Sequence, residues 1–207
     1  MDGANLAATL ALLLVQNADD IENFTKSRLN EISPHFHSLT LLDLFQSEPV
    51  LIALELLRSA ASADKARQQV IHKALHLMAT TILSANKDTK LKKSNVIGRF
   101  LQSHVLGLMA RLTDVINDSI STHPPITEQR SCIRTLEEMI RVCKGYARIA
   151  RPQISACLLS AISQDALREA SFSCWVAMLT NLEEEDVEAL IEATFFITIR
   201  VTPDTGH

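Results

Sequence analysis

Between Leu101 and Ile197 the chain offers helix starts and stops without interruption, and little from which another fold could be built. Apolar side chains recur there at steps of three and four residues, punctuated by prolines and polar clusters. That spacing puts the apolar groups on one face of a helix with 3.6 residues per turn. Only five glycines (Gly3, Gly98, Gly107, Gly145 and Gly206) and six prolines occur in 207 residues. Tight turns draw on both residue types, so the chain has little material for them. With 47% hydrophobic residues it reads as all-α, with helices joined by short links.

The order of helices can be read from start and stop signals. Residues 4–16 form a first helix, with Leu6, Leu10, Leu13 and Leu14 on one side. Asp19 or Asp20 caps a second, carrying Ile21, Phe24 and Leu29, and Ser33-Pro34 ends it. Residues 38–46 give a short helix, and Pro49 opens another to residue 61 with Val50, Leu51, Leu54 and Leu57. Asp64 caps a longer one to Ala85, with Val70, Ile71, Ala74, Leu75, Met78 and Ile82 on one face. Asn86–Asn95 is a polar, lysine-rich loop. Residues 95–120 read as one long helix with Ile97, Leu101, His104, Leu108, Leu112 and Val115 in line. His123-Pro124-Pro125 stops the chain, and Thr127 caps a helix to Lys144 that Gly145 can end. Pro152 opens a helix to Ser163, and Asp165 caps one to Thr180. Asn181 with Glu184 approximates a capping box for a last helix, whose acidic start Glu183–Asp186 suits a helix N-terminus. The tail after Val201 is polar and expected to fray.

Thr127 and Asp165 start helix pairs 38 residues apart. A helix–turn–helix unit of roughly 40 residues is the period of HEAT and armadillo solenoids. Residues 170–179 are apolar on nearly every side, from Ala170 and Phe172 through Cys174, Trp175, Val176, Ala177, Met178 and Leu179. Such a helix is expected to be covered all round, as neighbouring repeats cover inner helices. A closed bundle would do the same.

Charge and chemistry narrow the function classes. The net charge is -4, so contact with nucleic acid or acidic lipid would need a local patch. Leu6–Val15 is apolar but only about half the length needed to cross a bilayer, and no Lys or Arg precedes it. No membrane contact is expected. Cys132, Cys143, Cys157 and Cys174 form no CxxC pair and lie among apolar residues, which reads as buried, reduced thiols. His72 and His76 share a helix face, but HKALH has Lys73 where the zincin motif has its Glu. His104 sits on an apolar face, and His35 and His37 flank Phe36 in a loop. No Gly-rich phosphate loop, GxSxG or kinase catalytic motif is present. No catalytic, cofactor or metal site is expected.

The most informative charges are Arg130, Arg134, Arg141 and Lys144. At about 100° per residue they project within a sector of roughly 80°. Ile133, Leu136, Met139, Ile140 and Cys143 take the opposite side, with Glu137 inside the stripe and Glu138 beside it. Arg148 and Arg151 follow in the expected link. Lys87, Lys90, Lys92 and Lys93 add a basic loop. Both could be solvated surface, or a salt-sensitive contact with nucleic acid or an acidic partner.

FLQSHVLGLMARLTDVIND (100–118), RSCIRTLEEMI (130–140), RPQISACLLSAI (151–162) and FSCWVAMLTNLEEEDVEALIEATFFI (172–197) together resemble the UME domain and its upstream flank in checkpoint kinases of the ATR type, fungal members above all. These belong to the phosphatidylinositol-3-kinase-related Ser/Thr protein kinases. The resemblance implies a UME domain with its flanking helix at 100–200; residues 1–99 carry no matching motif, and their helical pattern is read as upstream helical repeats, with a disordered tail at 201–207. Residues 127–200 would form about two HEAT-like pairs. It further implies a nuclear scaffold segment of a DNA-damage and replication-stress kinase. Its partners would be the remainder of that kinase and its obligate recruitment partner, with homodimerisation in the full-length protein. The implied solenoid would continue past Ile197, so the chain is expected to be a fragment, a truncated gene model or a short isoform. The alternatives are a nucleic-acid-binding module using the basic stripe, or an unrelated adaptor that holds a partner helix in a groove.

Overall fold

The computed structural model describes residues 3–16, 41–86, 95–117 and 123–181. Among these, every regular element is helical. They are α1 (Gly3–Gln16), α2 (Leu41–Ser47), α3 (Pro49–Ala61), α4 (Lys65–Ala85), α5 (Val96–Gln102), α6 (Val105–Ile116), α7 (Ile126–Cys143), a 3₁₀ stretch (Lys144–Ala150), α8 (Arg151–Ile162) and α9 (Asp165–Asn181). No described helix is long and apolar enough to cross a membrane. The helices expected at 19–33 and after Asn181, the lysine loop and the tail lie outside the described residues.

The chain divides into two compact units, Met1–Leu101 and Gln102–His207. In the first, α1 packs on α3 and α4, and α2 on α3 and α4. Pro49 stands in the first turn of α3, where its missing N–H leaves no donor unsatisfied. Asp64 caps α4 as its position predicts, accepting from Arg67 N at 2.9 Å. The core is filled by Leu10 and Leu14 of α1, Phe45 of α2, Ile52, Leu56 and Leu57 of α3, and Ile71, Leu75 and Met78 of α4.

In the second unit α7 packs against α6 and α9, α8 against α6 and α9, and the 3₁₀ stretch against α6, α7 and α8. The direction of α7 and α9 follows from two cross-helix hydrogen bonds. Arg130 Nη2 donates to Ala166 O at 2.8 Å, across 36 residues. Ser173 Oγ donates to Glu137 Oε1 at 3.1 Å, again across 36 residues. An antiparallel pair would keep the sum of residue numbers constant, whereas here the difference is constant over two turns. α7 and α9 therefore run parallel, and α8 returns the chain between them.

Several local expectations are corrected. The helix expected at 95–120 is broken at Ser103-His104 into α5 and α6. Of the three polar residues there, Ser103 is of a type whose side chain can compete with the helical backbone, and the unit boundary falls at Leu101/Gln102. Pro125, not Thr127, is the N-cap of α7, at φ -64 and ψ 152. Its carbonyl accepts from Glu128 N and Gln129 N. The positive φ after α7 falls on Lys144, at 50°, not on Gly145. The link expected to carry Arg148 and Arg151 is a 3₁₀ turn running directly into α8. Asp165 is the first residue of α9, whereas it was expected to cap it from outside. Glu138 is buried, not beside the stripe at the surface. α9 is not covered on every side either: Cys174, Trp175, Ala177 and Met178 are buried, but Phe172 is 52% and Val176 41% exposed.

Burial of the four cysteines follows from their place on the inward faces of α7, α8 and α9. Burial pushes Cys143 up to about 12. It does the same for Cys157, with a smaller push from Cys132. Cys174 is also raised well above the usual thiol value, by burial first and then by the charge of Glu137.

Two outcomes follow. Trp175 is 1% exposed, so Trp175→Ala should destabilise the second unit by about 3–5 kcal/mol, read as a lowered urea midpoint at unchanged slope. The thiols lose their protons at lower pH when unfolded than when folded. Stability should thus be undiminished below the ordinary thiol value of 9.0 and fall as pH rises towards about 12. A Cys143→Ala/Cys157→Ala variant should show a shallower fall in the same titration.

Candidate interaction surface

Arg130, Arg134 and Arg141 of the expected basic stripe lie on α7, with α9 laid along it, whereas Lys144 falls just past the helix end. Arg130 is spent on holding the two helices together: its Nε and Nη2 both donate to Ala166 O in the first turn of α9, at 3.3 and 2.8 Å. Arg141 reaches back one turn, donating from Nε and Nη2 to Glu137 Oε1 at 3.2 and 2.5 Å. The same oxygen accepts from Ser173, so Arg141, Glu137 and Ser173 form one connected group across the helix pair. The Glu137 side chain is 15% exposed and that of Arg141 50%, which makes this a partly screened contact at the rim of the core.

Arg134 and Lys144 are exposed. A cleft of about 310 Å³ runs between α7 and α9, lined by Arg130, Arg134, Glu137, Asp165, Glu169 and Ser173 among others. Two guanidinium groups thus face three carboxylates. Arg168 pairs with Asp165 on the outer side of the same turn. The acidic side chains Asp165 and Glu169 stand near the N-terminus of α9, where the helix dipole favours negative charge. Three arginines of the stripe share α7, but Lys144, at a φ of 50°, turns off the helix and does not continue their face. Asp165, Glu169 and Ser173 were not assigned to it, because the 36-residue register between α7 and α9 brings them there.

The remaining candidates are scattered. Lys90, Lys92 and Lys93, with Lys87, lie outside the described residues, as do His35 and His37. His72 is half-buried and His76 exposed on α4, and Thr80 Oγ1 lies 3.4 Å from His76 Nδ1. Among the described residues no three His, Cys, Asp or Glu side chains are grouped as a metal site would need. His104 is half-buried in the turn before α6, and loss of solvent lowers its pKa.

The hydrogen bonds in this mixed-charge cleft tie α7 and α9 together at one register. A double-mutant cycle on Glu137→Ala and Ser173→Ala should give a coupling of about 0.5–1.5 kcal/mol. Additive effects within error would mean that the bond does not form in solution.

Residues 100–202 match the family profile of the UME (NUC010) domain. The chain is also similar to "Protein kinase rad3" of Schizosaccharomyces pombe, 25% identical over 186 residues. That match takes in 90% of this chain and 8% of the relative, so the chain spans about a twelfth of the relative's length. No solved structure gives a significant match. α6 to α9 all fall within the matched residues, and the two comparisons agree with the resemblance carried by residues 100–197: this stretch belongs to the UME-domain family, in a segment similar to an ATR-type checkpoint kinase.

Proposed function

We propose that this chain is a non-catalytic scaffold segment of an ATR-like DNA-damage and replication-stress checkpoint kinase, acting in the nucleus. Its helices form a HEAT-type array, and its work is architecture and protein contact. The observation that carries this reading is the parallel, 36-residue register of α7 and α9. Parallel first helices with a returning helix between them are what successive units of a helical solenoid produce. The similarity to rad3 supports the kinase context. The partners under this reading are the remainder of the kinase and its recruitment partner, and homodimer formation belongs to the full-length protein.

Phe172 and Val176 are four residues apart on the outer side of α9 and both exposed. In an array that side is where the next unit or a partner packs. Nucleic-acid binding through Arg134 and Lys144 is the weaker reading, because Glu137, Asp165 and Glu169 stand beside Arg134 and oppose a polyanion.

In the full-length kinase, Phe172→Asp/Val176→Asp should lower co-purification of the recruitment partner by at least about fivefold. The isolated chain carrying the same changes should keep its stability within about 0.5 kcal/mol, because both side chains are exposed. Phosphate transfer from ATP by the isolated chain would overturn the proposal. So would unaltered assembly of the full-length variant. Binding of single-stranded DNA that is lost on Arg134→Glu/Lys144→Glu would favour the second reading.

A further inference from the structure

We draw no further inference here: the strongest candidate, the open groove along α4 that Leu77 and Ile97 line, is an unpartnered face, and nothing in the structure shows what covers it.

Discussion

The second unit depends on the burial of one stripe of α7 against α9 and its neighbours. Cys132, Ile133, Leu136, Met139, Ile140 and Cys143 are at most 1% exposed. Removing each of the larger side chains from water contributes about 1.5–3 kcal/mol before the loss of chain entropy is counted. That is enough to fix which face of α7 turns inward, but apolar contact has no direction. The hydrogen bonds from Arg130 to Ala166 and from Ser173 to Glu137 supply it. They hold α9 parallel to α7 at one register, and a parallel neighbour needs a returning element between the two. α8 and the 3₁₀ turn before it are that element. The sharp reversal at Lys144, with its positive φ, lets α7 end and the return begin without a long loop.

The same register decides what the basic stripe does. Four cations on one helical face look, in sequence, like a surface for phosphate. Once α9 lies alongside, Arg130 is committed to a backbone carbonyl and Arg141 to Glu137. What remains is a narrow cleft in which Arg134 faces Glu137, Asp165 and Glu169. A polyanion is drawn by a summed field of one sign, whereas mixed charge at short range rewards a partner with the complementary pattern. Mixed charge of this kind weakens the pull of the stripe on a polyanion.

Much of the helix order was legible because its signals are local. Pro49 and Asp64 mark helix starts by the donor that proline lacks and the cap that aspartate supplies. The inward faces of α4 and α7 follow from spacing alone. The misreadings each turn on something non-local. The break at Ser103-His104 lies next to a unit boundary that periodicity does not register, since Leu101, Val105, Leu108 and Leu112 keep the apolar step across it. Glu138 reads as surface by type, yet it is buried within the packed unit. Phe172 and Val176 read as interior by type, yet nothing in the described residues covers them. The cleft was half legible: its arginines announce themselves, while Asp165, Glu169 and Ser173 enter only through the 36-residue offset.

The two units also divide the charge between them. The helix α4 of the first unit is basic without an acidic residue, whereas the α7–α9 cleft of the second mixes both signs. In the HKALH stretch, the spacing of His72 and His76 first suggests metal, because two imidazoles share a face. The same spacing places Lys73, Leu77 and Thr80 beside them, so the face is better described by its length and its sign than by its ligands. A metal site needs three or four groups converging on a point. Among the described residues no third His, Cys, Asp or Glu joins the two imidazoles.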